Sequence, residues 1–136
     1  MIKNEQEITL LEKAKAIIEN GWTENRYAED ELGLEVDVMG GQAQCFCSVG
    51  ALAHAAHVPN EDIRRNITPS VPMYKGKIYR QPTPFGNAIV ALAKVINPEE
   101  ADYLPHGVVT AFNDESSRVK QQVIEKFNEA IHLLRK

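Results

Sequence analysis

Long apolar runs are missing from this sequence. Its first residues, MIKNEQEITLLEKAKAII, are broken by charge throughout, which argues against a secretory leader, a membrane span or any membrane partner. Cysteine is scarce: only Cys45 and Cys47 are present. One residue apart, they hold their Cβ atoms badly for bridging, so a disulfide scaffold is excluded and a reducing, cytoplasmic setting is expected. A strong basic balance is also missing. The net charge of −4 argues against a general nucleic-acid binder. Acid is absent from residues 64–98, which carry Arg64, Arg65, Lys75, Lys77, Arg80 and Lys94 and no Asp or Glu. Residues 1–63 are correspondingly acidic, with 4 Lys/Arg against 12 Asp/Glu. No complete catalytic or cofactor-binding motif occurs, so no cofactor is expected.

What is present suits one domain over 1–136 with one core, since 43% of the 136 residues are hydrophobic. Ile8, Leu11, Ala14, Lys15 and Ile18 follow helical spacing, widened by Leu10 and Ile17, and predict a helix over 5–20. Asn20-Gly21 reads as its stop, with Gly in the left-handed conformation, and Trp22 is expected to pack back on it. Residues 23–44 are polar, broken by Gly33, Gly40 and Gly41, and read as a loop with a short strand near Leu34–Val38. A helix rich in small residues is expected over 47–57. Asn60 is expected to cap a short helix over Glu61–Arg65.

Residues 66–83 contain Pro69, Pro72 and Pro82 and read as a Pro/Tyr/basic loop extension, with a hairpin around Gly76 near 74–80. Thr83-Pro84 is a helix start, Thr as N-cap and Pro at the first helical position. Phe85, Ala88, Ile89, Leu92 and Val95-Ile96 form that helix's inner face, and one further turn is expected over Glu99–Tyr103. Val108–Phe112 is short and apolar and fits strand or helix equally. In a last helix Val119, Val123, Phe127, Ala130-Ile131 and Leu134 fall on one face, with Asp114 and Arg118 as a capping pair at its start. The expected fold is a mainly α bundle of about four to five helices with at most a small β-hairpin.

Candidate chemistry centres on Cys47. At a helix start, free N–H groups and about half a unit of positive charge favour thiolate. A cysteine nucleophile also needs a base and an orienting group. His106 is the candidate base, Asn113 or Asp114 the candidate orienter, and Gln42 or Gln44 could serve an oxyanion. The chain order and Gln-Ala-Gln-Cys resemble papain-like hydrolases, although no Trp follows Cys47 and the span to His106 is short. The competing reading is a buried structural cysteine. Cys45, Cys47, His54 and His57 are zinc-ligand types, but Cys47 and His54 lie about 10 Å apart along one helix. Only His54 and His57 could share an ion there, and no metal site is expected. Tyr74 and Tyr79 interleave with Arg64, Arg65, Lys75, Lys77 and Arg80. Such a segment can meet a nucleic acid or an acidic protein, or can simply be solvated surface.

The motifs also form an ordered set: Gly21-Trp22, Cys47-Ser48-Val49-Gly50-Ala51-Leu52, Phe112-Asn113-Asp114, Arg118 and Val123. This set spans nearly the whole chain and resembles a bacterial and phage domain family of unknown function. Phe46 stands where that pattern has Trp, residues 66–83 extend it, and His106 is not part of it. The resemblance implies no activity and no cofactor. Trp22, Cys47, Phe112 and Asn113-Asp114 all fall at element ends, so they can meet at one pole of a bundle, as a latch or around a pocket. The leading expectation is a non-catalytic intracellular binding domain for a protein or small ligand, with Trp22 among the candidate binding residues. The alternatives are a Cys47-dependent hydrolase or transferase and an anion-binding module using 64–80. An Ala-rich helix face is also compatible with a homodimer.

Overall fold

Helix α1, Glu5–Asn20, sits at the middle of the packing and buries Ile8, Leu11, Ala14 and Ile18 against its neighbours. The structure is a computed structural model and describes residues 4–67 and 83–136. Asn4 and Gly21 bracket α1. Asn4 donates from Nδ2 to the Leu134 carbonyl at 3.1 Å, tying the first helix to the end of the last. The Gly21 N–H closes the other end on the carbonyls of Ile17 and Ile18. Gly21 is extended, with φ −178°, and not left-handed as expected. It needs to be glycine for a different reason: a Cβ there would overlap the Gln44 carbonyl and crowd Cys45.

That close approach is the start of a small β element. Strands β1, Ala28–Glu29, and β2, Cys45–Phe46, pair antiparallel, with Ala28 opposite Phe46 and Glu29 opposite Cys45. Trp22 adds a parallel bridge to Phe46 on the other side. The strand expected near Leu34–Val38 does not form; Glu35 makes one bridge, to Glu29. Asp30 Oδ1 accepts the N–H groups of Leu32 and Leu34, each at 2.9 Å, and Gly33 turns left-handed at φ +83°. These side-chain bonds curl the segment into a turn and outcompete a ladder.

Helix α2, Ser48–Ala56, follows β2 at once and packs on α1. Helix α3, Asn60–Ile63, continues into a 3-10 turn over Arg64–Asn66. Asn60 does not cap α3. Its Oδ1 accepts the Val38 N–H at 3.0 Å, and so holds the preceding loop instead. Helix α4, Pro84–Ile96, starts as its sequence says, with Thr83 Oγ1 accepting the Gly86 N–H at 2.9 Å. The further stretch at Glu99–Tyr103 is turns.

Helix α5, Pro105–Asn113, resolves the strand-or-helix ambiguity at Val108–Phe112. Pro105 at the first turn is compatible with a helix start and not with a central strand. Helix α6, Lys120–Arg135, buries Val123, Ile124, Phe127, Ala130 and Ile131. Val119 lies outside that face, 54% exposed, because it precedes the first helical turn. Asp114 and Arg118 do not pair as expected. Arg118 pairs with Glu115, donates to the Phe112 carbonyl at 2.8 Å and stacks over the Phe112 ring.

The molecule is mainly helical, with six α-helices among the described residues and one two-stranded sheet. α1 packs on α2, α4 and α6, and α4 also packs on α5 and α6, so one contiguous core joins the helices. Among the described residues no helix is long and apolar enough to cross a membrane. The hairpin expected at 74–80 lies outside the described residues.

Candidate functional site

Where α1 ends, α2 begins and α5 ends, buried polar groups must find partners within the fold. Asn113, the last residue of α5, is 1% exposed and supplies them. Its Oδ1 accepts from Trp22 Nε1 (2.9 Å), the Ser48 N–H (3.0 Å) and Ser48 Oγ (2.7 Å). Its Nδ2 donates to the Thr23 carbonyl (3.1 Å) and to Asp114 Oδ1 (2.9 Å). Asn113 therefore ties three distant segments together and orients no histidine. Trp22 is one of its partners. The Gly21-Trp22, Cys47-Ser48 and Asn113-Asp114 element ends do meet at one pole.

Beside this hub lies a cleft of about 290 Å³, lined among others by Tyr27, Glu35, Cys47, Arg64, His106 and Asp114. Tyr27 enters it because the strand pairing fixes its backbone: the Tyr27 carbonyl accepts the Cys47 N–H at 3.2 Å. Its hydroxyl is hydrogen-bonded to His106 Nε2 at 2.8 Å, with the two rings edge-on at 81°. Burial pushes the His106 pKa down, and the Arg64 charge adds to this against an opposing pull from Asp114. The imidazole is thus held toward its neutral form, a polar wall and not a fixed charge. Burial raises the Tyr27 pKa, with Arg64 partly offsetting it. Asp114 Oδ1 accepts the Asn25 N–H (2.8 Å) as well as Asn113 Nδ2. Among the described residues, Asp114 Oδ2 has no hydrogen-bond partner.

Cys47 caps α2, its Sγ accepting the Gly50 N–H at 3.3 Å. It is 4% exposed. Burial pushes its thiol up to about 12, outweighing the Gly50 N–H that pulls the other way. The helix end was expected to favour thiolate; desolvation of the charged form is the larger effect here. Cys47, His106 and Asp114 share the cleft, but their hydrogen bonds run elsewhere, to Gly50, to Tyr27 and to Asn25 and Asn113. Cys45 is half-buried and also free. We expect a thiol reagent at pH 8 to label Cys45 in the folded protein and to reach Cys47 only on unfolding, counted by absorbance with and without guanidinium. Equal labelling rates at both positions would contradict the burial of Cys47.

His54 donates from Nδ1 to the Val38 carbonyl at 2.7 Å and packs on Phe46, and His57 is the exposed, left-handed cap of α2. Among the described residues no three His, Cys, Asp or Glu gather to hold a metal ion. Arg65 points to Asp62, 3.4 Å away, and does not line the cleft. Tyr74, Lys75, Lys77, Tyr79 and Arg80 lie outside the described residues. Sequence reasoning missed Tyr27 and Glu35. Both sit singly in a polar loop with no periodic or motif signal, and only strand pairing and the Asp30 turn bring them to the cleft. No curated protein and no solved structure matches the chain. A family model, in contrast, matches residues 3–133, nearly the whole chain, and the protein belongs to that family, a family of unknown function (DUF6197).

Proposed function

We propose that this protein is a binding module that holds a small polar molecule in the cleft between Tyr27, Arg64, His106 and Asp114, with no covalent chemistry at Cys47. One observation carries the reading: the Tyr27–His106 hydrogen bond joins residues 79 positions apart into a polar wall inside a cleft of ligand size. A protonated, buried thiol beside that wall serves as a cap for α2 and not as a nucleophile. The two free cysteines support a cytoplasmic setting for the same reading.

The test is chemical-shift mapping on the 15N-labelled protein with four sets of compounds: amino acids, small carboxylic acids, small amines and polyols. At least one set is expected to shift amides at positions 25–27, 47–50 and 106–114 together, with saturation. Shifts scattered over the surface, or none from any set, would overturn the proposal. So would turnover of a substrate that Cys47→Ala abolishes.

A further inference from the structure

The cleft holds both signs of charge, and the fold keeps them from pairing. Arg64 comes from the 3-10 turn after α3, Asp114 from the end of α5 and Glu35 from the loop after β1. All three line one volume of about 290 Å³. Among the described residues none of them forms a salt bridge, whereas the neighbouring cations do. Arg26 lies 3.9 Å from Glu29 and donates to the Gly33 carbonyl, and Arg65 lies 3.4 Å from Asp62. Arg64 shares a hydrogen bond with the Tyr27 side chain but, among the described residues, is ion-paired with no carboxylate, and Asp114 Oδ2 is left as an uncommitted acceptor. The same cleft is lined by the Tyr27 hydroxyl and a His106 ring held toward neutrality, so the wall adds hydrogen bonding without charge.

We infer that the ligand of this cleft carries both a carboxylate and a protonated amine on one compact, amino-acid-sized molecule. This rests on the cleft being the binding site. Arg is the side chain best shaped for a carboxylate, through its planar, forked donors. A carboxylate with a spare oxygen is the matching acceptor for an ammonium group. A ligand of one sign leaves the opposite pole of the cleft desolvated and unanswered, which costs affinity. The volume is at the low end of small-molecule sites, roughly 300–1,000 Å³, and suits a single amino acid better than a nucleotide.

The experiment titrates the 15N-labelled protein with four sets: neutral L-amino acids, the acids that lack only the amino group, the amines that lack only the carboxylate, and polyols. Amino acids are expected to bind about tenfold or more tightly than either matched set, because each deletion removes a charge-assisted contact. Arg64→Gln is expected to weaken the amino acids by a similar factor while leaving the amines unchanged. Asp114→Asn, which keeps an oxygen for the Asn25 N–H, is expected to weaken the amino acids while leaving the acids unchanged. Arg64 is exposed, so its variant folds and keeps the test open if Asp114→Asn does not. Acids or amines that bind as tightly as amino acids overturn the inference and leave the cleft as a site. Polyols binding there in place of all three sets do the same. Silence from all four sets overturns both readings.

Discussion

Gly50→Ala is expected to cost about 3–5 kcal/mol, enough to lower the melting temperature by more than about 10 °C. The sign is opposite to the usual one. Inside a helix, replacing Gly by Ala ordinarily stabilises by up to about 1 kcal/mol, because Gly has the greater backbone freedom to lose. Gly50 is in the first turn of α2 and fully packed against the chain entering β1. A Cβ there would overlap the Tyr27 backbone carbonyl, the same carbonyl that accepts the Cys47 N–H. Backbone cannot rotate away as a side-chain tip can, so either β1 moves or α2 does. Moving β1 also displaces Tyr27 from His106, so a surviving fold should lose the cleft wall. Gly107 in α5 is the internal control. A Cβ there would meet only Leu104 Cβ, at 3.9 Å, and Gly107→Ala should be neutral or slightly stabilising. Thermal melting of both variants by circular dichroism decides it. A Gly50→Ala protein melting within about 2 °C of the parent would remove the close approach from the account of this fold.

Asn113→Ala should be comparably severe, at about 3–5 kcal/mol. It strands Trp22 Nε1, the Ser48 N–H and Ser48 Oγ without their acceptor, and the Thr23 carbonyl without its donor, all at or near a buried site. Each buried group left unsatisfied costs about 1–3 kcal/mol, and the losses overlap because they share one site. Asn113→Asp separates hydrogen bonding from charge. It keeps an oxygen for three donors but turns the Nδ2 donor to Asp114 into a second carboxylate. Burial and a like charge both raise the new carboxyl's pKa in the folded state. A raised folded value gives stability that is present at low pH and lost as pH rises. Asn113→Asp should therefore lie closest to the parent near pH 4 and fall furthest behind it at pH 7. Urea unfolding at both pH values reads the difference. A loss under about 1 kcal/mol for Asn113→Ala, or a pH trend of the other sign for Asn113→Asp, would demote the hub to an ordinary surface cap.

The helices were legible because their signal is local and repeated. Ile8, Leu11, Ala14 and Ile18 repeat at helical spacing, and Thr83-Pro84 carries its own cap. The errors fall where one side chain had more than one partner within reach. Asn60 holds Val38 instead of capping α3, and Arg118 reaches Glu115 and Phe112 instead of Asp114. The Leu34–Val38 strand lost to the Asp30 turn, a competition between two local hydrogen-bonding patterns.

The candidate site divides in the same way. Cys47, Asn113, Asp114 and His106 stood out in the sequence by residue type and by position at element ends. Their roles did not, because a role depends on the neighbours. Burial turns Cys47 from a candidate thiolate into a cap, and Asn113 from an orienter into a hub. Tyr27 was silent until β1 met β2 and set it against His106.

Composition and periodicity alone determined a mainly α chain with a single continuous core, since apolar spacing along a segment needs no partner to be read. Only the tertiary structure decided which polar ends converge, how deeply each is buried and which charges are left unpaired. Those are properties of distances between segments as far apart as Trp22 and Asn113, and the energies of hydrogen bonds and ionisation follow such distances and the local dielectric, which sequence order does not encode.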